Sequence, residues 1–102
     1  MDVEPDNLPV EIAREAGLLI STLRTAGWIL PEARYDANTM GNWYVDLARD
    51  DVFLRLVKDR SQFFVTGPPI QNLKAAGLSR AFDDFAEFQQ SVLSWAIGNR
   101  SV

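Results

Sequence analysis

The 102-residue chain contains no cysteine and no histidine. Without cysteine there is no disulfide, no thiolate nucleophile and no thiolate-held iron–sulfur cluster. Without histidine there is no Ser-His-Asp triad and no imidazole ligand, so a zinc site would need carboxylates alone. General acid–base work would fall to Asp, Glu, Lys or Tyr. These exclusions argue against an enzyme and lead us to expect neither metal nor cofactor. Cations are also in the minority: 10 Lys and Arg stand against 14 Asp and Glu, for a net charge of −4. Such a field repels nucleic-acid phosphates and favours cationic partners. No apolar run approaches the ~20 residues that span a bilayer. The opening Met1-Asp2-Val3-Glu4-Pro5-Asp6 is acidic and poor in apolar residues, unlike a signal peptide. A cytoplasmic protein with neither a membrane nor a nucleic-acid partner is expected.

Several motifs are missing as well. No GxGxxG, GxxxxGK or GxSxG pattern occurs, and the basic residues are scattered rather than striped. The run Asp36-Ala37-Asn38-Thr39-Met40-Gly41 opens like a calcium loop, but Met40 and Leu47 stand where that loop needs oxygen donors.

At 47% hydrophobic and 24% charged residues, the composition is that of a folded domain. We read residues 1–102 as one α+β domain, with 1–7 as a flexible acidic leader. A helix is expected from Leu8, with Asn7 as N-cap and Pro9 in the first turn, ending at Gly27. At about 100° per residue, Leu8, Ile12, Ala16, Leu19, Ile20, Leu23 and Ala26 share one face. Val10 and Leu18 fall outside it, as scattered surface apolars. Trp28-Ile29-Leu30 forms either a short edge strand or a packed turn, and residues 31–42 read as a loop rich in turn formers.

Residues 43–66 carry the clearest pattern. Strict alternation predicts strands over 43–48, 52–58 and 61–66, joined by turns at Arg49-Asp50-Asp51 and Asp59-Arg60. A shared hairpin register sets Ala48 opposite Phe53, Val57 opposite Gln62, Asp46 across from Arg55 and Arg55 across from Phe64. One face then carries Trp43, Val45, Leu47, Leu54, Leu56, Phe63 and Val65, and should meet the helices. The other carries Tyr44, Asp46, Phe53, Arg55, Val57, Gln62, Phe64 and Thr66. After Pro68-Pro69, a short helix over 70–76 stops at Gly77. Ser79 is expected to cap a longer helix running to Ile97, with a wide apolar arc that includes Gln89. Asp83 and Glu87 would share its opposite face as a solvated pair. The expected architecture is an N-terminal helix, a three-stranded antiparallel meander with room for a fourth edge strand, and two C-terminal helices packed on one sheet face.

The second sheet face is the best candidate for function. Tyr44, Phe53, Val57 and Phe64 form an apolar patch rimmed by Asp46, Arg55 and Gln62, a mixture typical of interface centres. Loop 31–42, the Trp28–Leu30 segment, the C-terminal helix or a second copy of the chain are alternative covers for it, since monomers rarely leave such a patch bare. The stretch Trp43-Tyr44-Val45 followed by Val52-Phe53-Leu54-Arg55-Leu56-Val57-Lys58-Asp59-Arg60-Ser61-Gln62-Phe63-Phe64-Val65 resembles small bacterial immunity-type proteins of toxin–immunity systems. That resemblance implies a cytoplasmic inhibitor that binds a cognate toxin, and the acidic charge suits a basic one. The leading expectation is a non-enzymatic protein-binding module, immunity-like or a homo-oligomeric adaptor. The alternative is a small-ligand-binding or hydrolytic protein with a pocket between sheet and helices, anchored by Gln89 and Tyr35.

Overall fold

Period-two alternation builds an antiparallel sheet here, and the computed structural model, which describes residues 8–98, has four strands in sequential order. The elements run α1 (Val10–Thr25), β1 (Ile29–Asp36), a 3-10 turn (Ala37–Thr39), β2 (Asn42–Arg49), β3 (Val52–Asp59), β4 (Gln62–Thr66), α2 (Ile70–Ala75) and α3 (Phe85–Gly98). The class is α+β. The acidic leader and the Asn7 cap expected from the sequence lie outside the described residues. Pro9 occupies the N-cap of α1, so the helix starts at Val10 rather than Leu8. It closes at an Ala26 cap, before Gly27 turns the chain with φ 103°.

All seven side chains assigned to the apolar sheet face are buried. They meet Ile12, Ala16, Leu19 and Leu23 of α1 and Phe88, Val92 and Ala96 of α3 in one core. Phe63 ties this core together. Its ring stacks on Phe88 at 5.6 Å between centroids, meets Phe85 edge-on at 5.1 Å and tilts against Trp43 at 6.3 Å. Aromatic pairs at these separations contribute beyond their buried area. Val10 and Leu18 are exposed, as their wheel positions require.

The structure corrects the sequence reading in four places. Residues 31–36 are not loop but most of an eight-residue edge strand, with Ala33 paired to Val45 and Tyr35 to Trp43. The register slips between Ile29 and Glu32, and Pro31 sits in that irregularity, where a missing N–H costs no ladder bond. The strand therefore does not fold across the second face. Next, the second hairpin turns on Arg60 and Ser61, both left-handed (φ 55° and 68°), and pairs Asp59 with Gln62. Such two-residue turns match strand twist. Arg55 consequently faces Thr66 rather than Phe64, and Val57 faces Phe64 rather than Gln62. A shift of two residues keeps each side chain on its expected face.

The last two corrections concern α3, which begins at Phe85 and not after Ser79. Phe82 instead forms a one-residue bridge to Phe63, exchanging both main-chain hydrogen bonds at 2.8 and 2.7 Å. The chain becomes helical only where Asp84 supplies a cap, accepting from the Glu87 N–H at 3.0 Å. This separates the acidic pair: Asp83 lies before the helix and accepts from Gln62 Nε2, while Glu87 accepts from Arg80.

Replacing Asp84 with Ala should lower stability by about 1 kcal/mol in urea unfolding, the usual value of a lost N-cap. Gly67→Ala should cost at least as much, because a Cβ there meets the Phe53 carbonyl oxygen at 2.6 Å on a backbone at φ 113°.

Candidate functional site

Among the described residues, α1, α2 and α3 put their buried side chains into the core on one side of the sheet, and no described helix packs on the opposite face, termed the open face. Strand pairing sets its side chains in rows. Arg34, Tyr44, Val57 and Phe64 form one row from β1 to β4, and Glu32, Asp46, Arg55 and Thr66 form the next. Phe53 follows beside Ala48 and is 44% exposed. Tyr44, Asp46, Phe53, Arg55, Val57 and Phe64 thus share one surface. Gln62 sits on its rim, donating to Asp83.

Four side chains at the centre form a continuous chain of contacts. Arg55 donates to Asp46 through two nitrogens, Nε to Oδ1 at 2.6 Å and Nη2 to Oδ2 at 3.1 Å. This fork-on-carboxylate geometry is the strong form of an ion pair. The guanidinium also lies over the Tyr44 ring, 4.0 Å from its centroid. The Tyr44 hydroxyl in turn donates to Glu32 Oε2 at 2.8 Å. Asp46 is only 5% exposed although no described helix packs on this face; Arg55 lies against it, and Tyr44 against Arg55. Beside this chain a shallow depression of about 240 Å³ is lined by Arg34, Asp36, Asn42, Tyr44, Arg55 and Val57, among others.

The electrostatics follow from these contacts. The hydrogen bond to Glu32 raises the Tyr44 phenol above its ordinary value of 10.0, because losing that proton would break the bond and place two negative charges together. Donating to the Asp46 carboxylate likewise holds the Arg55 guanidinium more firmly protonated than usual.

Sequence reasoning missed Glu32 and Arg34, since both fell in the presumed loop. The usable signal was the alternation of Glu32 and Arg34 with Ala33 and Tyr35 just before an Asp-Ala-Asn turn. Asp36 opens that turn by accepting from the Asn38 N–H at 2.9 Å, so the residue that began the calcium-like run performs turn chemistry.

The alternative pocket residues lie elsewhere. Gln89 is half-buried on α3, and Tyr35 is half-buried on the core side of β1, its hydroxyl close to Gly41. Neither lines the depressions along α1, between α2 and α3, beside β4 or on the open face. No three His, Cys, Asp or Glu among the described residues cluster so as to hold a metal ion. No described helix is long and apolar enough to cross a membrane. The open face offers aromatic surface and directed donors, which suit recognition. No protein-family model, curated protein or solved structure matches the chain.

Two measurements test this geometry. In a Tyr35→Phe background, the Tyr44 phenol should titrate above 10.0 by absorbance, and Glu32→Gln should bring it down. The sign follows from linkage: a raised folded value contributes stability present below the unfolded value and lost as pH rises through the folded one. Separately, Arg55→Ala should destabilise by about 1–3 kcal/mol, since it leaves a buried carboxylate without its charged donor. Adding Asp46→Ala to Arg55→Ala should cost less than the sum of the two single changes.

Proposed function

We propose that the chain is a non-enzymatic protein-binding module whose docking surface is the open sheet face, and that its partner is a basic protein. The observation that supports this most directly is the one-sided packing. The face without helices carries Tyr44, Phe53, Val57 and Phe64 around an Arg55 already oriented by Asp46 and Tyr44. Aromatic and Arg side chains held in fixed positions are what interface centres use, because little side-chain freedom remains to be lost on binding.

Charge argues for the sign of the partner. Glu32, Asp36, Asp46 and Asp59 on this face outnumber Arg34 and Arg55, and the chain as a whole carries −4. A basic toxin neutralised by this surface, as in a toxin–immunity pair, is the specific form of the reading. Electrostatic steering would then speed association and make its rate fall with added salt.

The test is a calorimetric titration of the protein captured on the immobilised chain. Phe53→Ala and Arg55→Ala should each weaken binding by about 1–3 kcal/mol if they are hot spots. Leu18→Ala, at an exposed position of α1, should leave the affinity unchanged. Circular dichroism of Arg55→Ala separates a lost contact from a lost fold. Equal affinity for the native chain and both sheet-face variants would sink the assignment. A concentration-dependent doubling of the 11.5 kDa mass in light scattering would replace the foreign partner with a second copy.

A further inference from the structure

The outer edge of β4 is paired at one residue and open at the next. Phe63 exchanges both main-chain hydrogen bonds with Phe82, so its N–H and C=O point away from β3. Strand geometry repeats that direction every second residue. The N–H and C=O of Val65 therefore also point outward, while those of Phe64 point to Val57. Continuing the bridge register would place residue 80 opposite Val65. The chain does not continue it: residues 79–81 leave the strand, and Val65 makes no main-chain hydrogen bond on that side to any described residue.

The divergence opens a groove of about 360 Å³ whose lining includes Phe64, Val65, Ile70, Leu73, Leu78 and Arg80. Val65 is 4% exposed and Ile70 56% exposed. A main-chain donor and acceptor so little open to solvent are usually paired. Their spacing on one strand residue matches one kind of ligand group, the N–H and C=O of another extended chain. Arg80 is the one charged residue in the lining. It is held in place by stacking on Phe82, 3.8 Å from the ring centroid, and by donating to Glu87 at 2.6 Å.

We propose that this groove binds an extended peptide segment of a partner protein, which adds to β4 as a short antiparallel strand. Its main chain pairs with Val65, an apolar side chain enters between Ile70 and Leu78, and a neighbouring Asp or Glu meets Arg80. The Phe63–Phe82 bridge shows the same edge already accepting one antiparallel residue. The site is separate from the open sheet face, because it uses the strand edge rather than the pleat, and Phe64 is the residue the two share.

The experiment uses the full chain and a display library of random heptapeptides, followed by titration of the synthesised selected peptide. Selection should enrich an apolar residue next to Asp or Glu. Binding should slow hydrogen exchange at the Val65 amide, which in the free chain should exchange faster than that of Phe63. Ile70→Asp should weaken binding about tenfold or more. Arg80→Gln should weaken it and erase the preference for the acidic neighbour. Both changes are at exposed positions, and circular dichroism checks that each variant is folded. Phe53→Ala, on the open face, should leave peptide affinity unchanged, so failure here and failure of the sheet-face reading are distinguishable. Enrichment of no peptide above background would overturn the proposal. So would a peptide whose binding leaves Val65 exchange unaltered or ignores Ile70→Asp.

Discussion

The fold depends most on the contacts of one residue, Phe63. Its side chain carries the aromatic packing between sheet and helix, and its main chain carries the bridge that holds residue 82 to the edge of β4. Because Phe88 and Phe82 are fully buried against it, the position of α3 relative to the sheet follows from this cluster. Directional main-chain bonds fix where the segment before the helix lies, and nondirectional apolar burial fixes the helix itself. Lys58 and Trp43 extend the arrangement toward α1, since both donate to Glu15.

Packing the described helices on one side has a consequence for the other. A sheet face without a covering layer must be compatible with water, and here the centre of that face nevertheless holds a carboxylate at 5% exposure. A charge removed from water in this way needs a partner with good geometry. Arg55 provides it and is held in turn by the Tyr44 ring, whose hydroxyl is anchored on Glu32. The central side chains of this surface are therefore held in place by their own contacts, and under the proposed docking role this would reduce the entropy lost on association.

The open face and the β4 edge differ in the groups they present. The face presents side chains, and shape and charge would decide its partner. The edge presents main-chain groups, which read extended conformation first and side chains second. The opposite edge of the sheet, β1, is blunted by Pro31 and by Glu32, Arg34 and Asp36, the usual protection of an exposed strand. That protection also made β1 hard to see in the sequence, since charge and proline lower strand propensity.

The sequence by itself determined the core-facing sides of α1 and of strands β2 to β4. The alternation over 43–66 and the stripe of α1 placed every assigned side chain on its correct side, because burial imposes a period that a single strand or helix displays alone. It also determined the first hairpin, where Ala48 faces Phe53 and Asp46 faces Arg55 as expected. Only the tertiary structure decided the rest. The second hairpin turns on Arg60-Ser61, residues with no local signal for a left-handed turn. Residues 80–84 carry helical periodicity, yet Phe82 gives its main-chain bonds to Phe63, nineteen positions back in the chain. Glu32 joins the open face only because β1 finds β2. For Phe82 and β1 the deciding pairing joins residues distant in sequence, and at the Arg60-Ser61 turn Asn42 Oδ1 accepts from the Arg60 N–H at 2.9 Å; such contacts leave no period in the segment that makes them.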